Sequence, residues 1–179
     1  TNNKIFQKSF VKFRSHGFVK KNHWNYELEN FGFNYRLSDI SCALGISQLE
    51  KVNKFLNKRK KIYEFYEKKL KNFSKILNFI KYDSNVKPSY HLFVIFIKKN
   101  NKYKKEKLIK YFLDKNISVQ QHYKPIFKFK VYNEKNKIKF INSNKYFHSA
   151  ISLPIHFNMN KKDLNNVIIN LKNYFKLSY

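Results

Sequence analysis

Apolar residues recur with a helical period in the first part of the chain. Residues 4–20 predict a short helix that stops at Gly17, and residues 18–37 have weak periodicity and are interpreted as a loop. Ser38 is a plausible N-cap for a long helix, because apolar side chains follow at a period near 3.6 from Ile40 to Leu70. Gly45 lies inside this helix and suggests either close approach of another backbone or neutral drift.

Later in the chain, short β-branched and aromatic runs alternate with further helical stretches. Strands are predicted at Leu92–Ile97 and Ile117–Tyr123, with a brief extended piece at Ser152–Pro154. The helical stretches are Lys104–Asp114, residues 143–150 and Lys161–Phe175. The order predicts a small mixed α/β domain behind a helical first third.

Charge is the most extreme property of the composition. The formal net charge is +27, which by itself suggests a nucleic-acid or membrane-surface partner. However, the 38 basic residues include only three arginines, and the lysines are spread along the whole chain. High lysine, asparagine and isoleucine with few glycines is typical of AT-rich coding, so a lysine-rich solvated surface is the simpler interpretation. A basic RNA- or membrane-surface-binding module stays open as an alternative.

The rarity of arginine makes Arg14, Arg36 and Arg59 informative. Where lysine is abundant, an arginine indicates a site that needs planar, bidentate geometry. A single cysteine, Cys42, cannot form an internal disulfide, which favours a reducing, cytoplasmic location. The sequence has no apolar run long enough for a membrane span and no motif typical of a metal, hydrolase or nucleoside-triphosphate site.

Two segments carry a resemblance to a known family. Residues 32–49 read GFNYRLSDISCALGISQL, and residues 119–126 read VQQHYKPI. The first resembles the long signature of the DegT/DnrJ/StrS sugar aminotransferases, which begins Gly-x-Asn-x-Arg and ends Gly-x-x-Gln-Leu. The second resembles the His-Tyr-x-Pro turn of the same family. Residues 13–17, 89–93 and 153–154 also resemble family segments and appear in family order. The forms of residues 14–17 and 122–126 are most similar to the pseudaminic-acid-pathway member.

The resemblance implies the C-terminal portion of a fold type I aminotransferase that uses pyridoxal 5'-phosphate (PLP). Residues 1–37 would then be the tail end of the large cofactor domain with an active-site loop. Residues 38–75 would form a long connecting helix, and residues 76–179 a small C-terminal α/β domain. The Schiff-base lysine of the family precedes a segment similar to Thr1-Asn2-Asn3, so it is expected upstream and no catalytic residue is assigned in this chain.

The resemblance also implies binding roles for four residues. Asn34 would reach the cofactor phosphate of a partner subunit, since a homodimer is implied. Arg36 would bind an anionic substrate or donor carboxylate, with a salt bridge to Asp39 or Glu50 as the alternative. His122 and Tyr123 would border the sugar–nucleotide site.

The implied reaction transfers an amino group from glutamate to a UDP-linked 4-keto-6-deoxy-hexosamine. No metal, nucleic-acid or membrane partner is implied. The chain is interpreted as a fragment that is inactive by itself, and an inert truncated relic is a further alternative.

Overall fold

The computed structural model describes residues 1–98, 105–132 and 140–176. Two compact units divide the chain, Thr1–Val52 and Asn53–Tyr179. Along the described residues the helices are α1 (Lys4–Arg14), α2 (Asp39–Leu70), α3 (Lys105–Asp114), α4 (Ile141–Ser149) and α5 (Lys161–Phe175). The strands are β1 (Phe18–Lys20), β2 (Tyr26–Leu28), β3 (Leu77–Phe79), β4 (Phe93–Ile97) and β5 (Ala150–Leu153). The mixed α/β prediction is therefore confirmed.

The first unit has almost no buried side chain. In α1 the Asn3 side chain caps the first turn, yet no residue of that helix is buried. Residues 18–37, interpreted as a loop, instead contain an antiparallel hairpin in which Val19 lies opposite Glu27. An ion pair joins Lys21, the residue after β1, to Glu27 of β2. The single tryptophan, Trp24, lies between them and is 81% exposed.

Gly17 and Gly32, two of the three glycines of this unit, meet where the chain crosses itself. Gly17 has φ +79°, and a Cβ placed on it would lie 1.7 Å from the carbonyl oxygen of Asn30. A Cβ on Gly32 would lie 2.3 Å from the backbone nitrogen of Gly17. Only glycine leaves room for such a close crossing, and at Gly17 it also adopts the left-handed conformation without strain. Gly17 also follows α1, as predicted, and its amide donates to the Lys12 carbonyl at 2.8 Å.

The long helix α2 is continuous over 32 residues. The Ser38 hydroxyl accepts from the Ser41 amide at 3.3 Å, which confirms the predicted N-cap. The close approach suggested for Gly45 is not found among the described residues, because a Cβ there meets nothing within 4 Å.

The second unit holds the core. Its antiparallel sheet has the order β3-β4-β5, with Ile95 opposite Phe79 on one side and Ile151 on the other. The predicted strand Ile117–Tyr123 is wrong. Only Gln120 pairs, in an isolated bridge with Ser152. The alternating burial of Ile117 and Val119 produced the strand-like pattern without a ladder.

Helices and aromatic rings enclose this sheet. The apolar face of α5 is buried, as its periodicity predicted, and an Asn160–Asp163 capping box begins the helix. Helix α3 begins at Lys105, and the predicted start at Lys104 lies outside the described residues. Phe93 is fully buried, with ring centroids 4.8 Å from Tyr63 and 5.0 Å from Tyr66.

Two buried tyrosines predict sensitivity to alkali. Burial raises the pKa of Tyr63 to about 12, with Tyr82 as a smaller contribution, and burial also raises the pKa of Tyr66 above its usual value. Above about pH 10 the unfolded phenols ionise while the folded ones stay neutral, so the free energy of unfolding falls as pH rises. Urea unfolding at pH 8 and at pH 11 measures this loss.

Tyr66→Phe should reduce the fall in the free energy of unfolding between pH 8 and pH 11. At pH 8 it should cost about 1 kcal/mol, because the Tyr66 hydroxyl donates to the Pro154 carbonyl at 2.9 Å. Tyr123→Phe, at a position 73% exposed, is the control and should leave the pH slope unchanged. An equal pH slope in Tyr66→Phe and the wild type would contradict this assignment.

Candidate functional site

A hydrogen-bonded cluster lies in the first unit just before α2. The Arg36 Nε donates to Asn34 Oδ1 at 3.2 Å, and Arg36 Nη2 lies 3.3 Å from His16 Nε2. Because arginine can only donate, His16 Nε2 accepts and its proton lies on Nδ1. Arg36 and Asn34 are solvent-exposed and His16 is half-buried.

Backbone pairing places these three side chains together. Asn34 forms an antiparallel bridge with Ser15, and the His16 amide donates to the Phe33 carbonyl at 3.0 Å. The glycine crossing at Gly17 and Gly32 allows the two segments to approach. His16 itself has φ +65°, an uncommon conformation for a residue with a side chain. In the sequence His16 is visible only as part of the family-like residues 13–17, because its pairing partners lie far along the chain.

The predicted alternative partners of Arg36 are not used. Among the ion pairs of residues 1–98, 105–132 and 140–176, Arg36 meets neither Asp39 nor Glu50. In the same ranges the Asn34 Nδ2 group has no hydrogen-bond partner. The cluster therefore presents a guanidinium and an amide donor to solvent, which is a suitable arrangement for binding phosphate or carboxylate oxygens.

His122 lies at a pocket in the second unit. Its Nδ1 lies 2.8 Å from the Ser152 hydroxyl, and the pocket has a volume of about 480 Å³. His91 and His156 also line this pocket, as does Asp163 near the start of α5. The lining combines imidazole, hydroxyl and amide groups with apolar side chains, which is typical of small-molecule sites.

Tyr123, predicted beside His122, does not line that pocket. Its ring packs edge-on against the His122 ring at 4.7 Å and is otherwise exposed. His156 and Ser152 were not predicted as site residues, and their only signal in the sequence is the Leu153-Pro154 pair beside them. In the part of the chain that the structure describes, no group of three or more His, Cys, Asp or Glu side chains could hold a metal ion. Across those residues, none of the helices has the length and apolarity needed to cross a membrane.

Comparison with known proteins shows which family the chain is similar to. Residues 1–172 match the DegT/DnrJ/EryC1/StrS aminotransferase family. A UDP-4-amino-4,6-dideoxy-N-acetyl-beta-L-altrosamine transaminase of Campylobacter jejuni subsp. jejuni serotype O:23/36 is 38% identical over 164 residues, which cover 91% of this chain and 43% of that protein.

Solved structures of aminotransferases also superpose on the chain. PseC of Helicobacter pylori, an aminotransferase involved in the biosynthesis of pseudoaminic acid, superposes with a TM-score of 0.88 at 29% identity, over 98% of this chain and 47% of that one. The PLP form of Spr1654 from Streptococcus pneumoniae shares the fold, with a TM-score of 0.82 at 19% identity over 98% of this chain and 45% of that chain. The chain thus spans less than half the length of each of these three proteins.

Proposed function

Because the chain belongs to the DegT/DnrJ/EryC1/StrS aminotransferase family, we propose that it forms part of an enzyme that transfers an amino group from glutamate to a UDP-linked 4-keto-6-deoxy-hexosamine. The observation that carries the site assignment is the exposed Asn34–Arg36–His16 cluster, which lies inside the family-matched residues. The names of the relatives from Campylobacter jejuni and Helicobacter pylori support the UDP-sugar and the pseudaminic-acid type of pathway.

PLP is the cofactor of this family, and the residues present fit part of its requirements. When bound, PLP supplies the electron sink that lets an amino group move between two carbons. Asn34 fits the phosphate of PLP, because its Nδ2 group is exposed and has no hydrogen-bond partner within the described ranges. The lysine that holds PLP is proposed to belong to the rest of the enzyme, and none of the lysines in this chain is assigned that role.

Two other roles follow from charge and position. Arg36 would bind a substrate phosphate or the glutamate carboxylate. A guanidinium forms two parallel hydrogen bonds with such a group, which fixes the orientation of the group. His16 supports this role by accepting from Arg36 Nη2, which limits the rotation of the guanidinium. His122 would contact the nucleotide sugar from its pocket, with Tyr123 packed against the imidazole.

The proposed division of the chain follows these roles. Residues 1–37 would be the end of the cofactor domain and would carry the active-site loop with Asn34 and Arg36. Residues 38–75 would form the long connecting helix, and residues 76–179 would form the small α/β domain. In the whole enzyme Asn34 would act on the cofactor of the partner subunit, so the working unit is proposed to be a cytoplasmic homodimer.

The experiment uses the full-length gene product that carries this chain. We expect the purified protein to bind PLP, which is measured by the absorbance of the bound cofactor. We also expect it to transfer an amino group from glutamate to the UDP-ketosugar. Arg36→Ala should lower kcat/KM by roughly tenfold to a hundredfold, since a charge-assisted hydrogen bond contributes about 1.5–3 kcal/mol. Asn34→Ala should weaken PLP binding by about tenfold for the same reason.

Lys8→Ala is the control, because Lys8 is an exposed basic residue of the same unit that lies outside the family-like segments. Its kinetics should equal those of the wild type. Unchanged kinetics in both Asn34→Ala and Arg36→Ala would show that the site assignment is wrong. Absence of amino transfer, together with RNA retention at physiological salt, would favour the basic binding module instead.

A further inference from the structure

Lys105 is a buried lysine to which the proposed function gives no role. It is the first residue of α3 and is 4% exposed, whereas most lysines of the described ranges lie at the surface. Burying an ammonium group is costly unless its donors are satisfied. Burial lowers the pKa of Lys105, and the exposed Glu106 carboxylate, 3.9 Å away, acts in the opposite direction.

The Lys105 ammonium links the Gln121 side chain to the C-terminal end of helix α4. Its Nζ donates to Gln121 Oε1 at 2.9 Å and to the Phe147 carbonyl, and it lies 4.5 Å from the centroid of the Phe147 ring. Gln121 Nε2 donates to the same carbonyl at 3.2 Å. Phe147 lies in the last turn of α4, where carbonyls lack partners within the helix and the helix dipole attracts cations. The Lys105 ammonium, the Gln121 side-chain amide and the Phe147 carbonyl are therefore hydrogen-bonded to one another.

Phe147 also contacts Lys128, which follows His122 and Tyr123 in the sequence. The Lys128 ammonium lies 5.2 Å from the centroid of the Phe147 ring. Gln121 precedes the His122–Tyr123 pair and Lys128 follows it, so the segment between them is held at both ends by contacts to Phe147.

A second anchor fixes the same segment to the sheet. The Gln120 amide donates to the Ser152 carbonyl at 3.2 Å, and the Ser152 amide donates back at 2.8 Å. His122 Nδ1 lies 2.8 Å from the Ser152 hydroxyl. The anchors on β5 and α4 together restrict the movement of the segment that carries the imidazole at the pocket.

We propose that Lys105 is a positioning residue that, through Gln121 and Phe147, sets the placement of His122 at the pocket of the second unit. Lys105 does not line that pocket, so it acts through the segment it holds. This inference rests on the proposed function only where amino transfer is the readout.

The test is Lys105→Met in the full-length gene product, since methionine keeps much of the length and removes the donors. We expect KM for the UDP-ketosugar to rise roughly tenfold while kcat changes by less than about twofold, because only the binding of the sugar is loosened. Amide hydrogen exchange at Gln120 and Ser152 should become faster. Lys107→Met, at an exposed position of α3, is the matched control and should change neither readout.

Gln121→Met serves as a second variant should Lys105→Met fail to fold. It removes the link between Lys105 and the segment and leaves the lysine on the Phe147 carbonyl, so it should reproduce the rise in KM and the faster exchange. Unchanged exchange and KM in a folded variant would overturn the inference. A wild-type enzyme without amino transfer would instead refute the proposed function, and the exchange readout would still decide the role of Lys105.

Discussion

Gly17→Ala should disrupt the first unit more severely than any other single methyl group added to it. The new Cβ would lie 1.7 Å from the Asn30 carbonyl oxygen and 2.7 Å from its carbon, so the backbone has to move. The left-handed conformation at φ +79° adds roughly 1–2 kcal/mol for a residue with a side chain. Because the crossing places His16 beside Arg36, amino transfer should fall further than in Arg36→Ala.

Limited proteolysis measures the structural part of this prediction. Cleavage within residues 1–38 should accelerate strongly, while the second unit keeps its urea midpoint. Gly45→Ala is the matched control: nothing lies within 4 Å of the added Cβ, and alanine favours a helix by about 1 kcal/mol over glycine. Wild-type cleavage rates in Gly17→Ala would show that the crossing does not determine the structure of this unit.

Phe93→Ala should cost about 3–5 kcal/mol of the free energy of unfolding of the second unit. The ring is fully buried on the middle strand and contacts Tyr63, Tyr66 and, at 5.6 Å between centroids, Phe79. Its removal leaves a cavity that the three surrounding rings, two on α2 and one on β3, can fill only in part.

Urea denaturation followed by tyrosine circular dichroism measures the loss. Phe129→Ala is a control in the same unit, since Phe129 is 44% exposed, and it should cost less than about 1 kcal/mol. Equal midpoints for Phe93→Ala and the wild type would mean that this aromatic cluster is not the stability centre of the unit.

Local signals explain which elements the sequence could predict. Helix α5 was predicted with its observed bounds, Lys161–Phe175, because a five-residue apolar stripe repeats at the helical period. The start of α2 followed from the Ser38 cap, and β4 from its apolar run. Each of these depends on neighbours within a few residues.

Non-local contacts explain the errors. The β1–β2 hairpin is two short, exposed strands whose pairing depends on the glycine crossing, which leaves no periodic pattern in the sequence. Residues 117–123 have the alternation of a strand, but only Gln120 finds a partner on β5. Periodicity reports which side chains are buried and does not identify the strand that would complete a ladder.

The same distinction applies to the candidate site. Arg36 could be selected because arginine is rare in this chain, and Asn34 because of the family-like motif. Lys105 gave no signal, since one lysine among so many looks like a surface residue until its burial is known. His16 needed the fold, because its contact to Arg36 spans 20 positions.

The distribution of aromatic side chains provides two separate optical reporters. Trp24, the single tryptophan, belongs to the first unit and is almost fully hydrated, so its emission should shift to shorter wavelength only when another surface covers it. Tyr63 and Tyr66 are fixed against Phe93 in the second unit, and their near-ultraviolet signal monitors that core. Association at the first unit and melting of the second can therefore be followed in one cuvette without attaching a label.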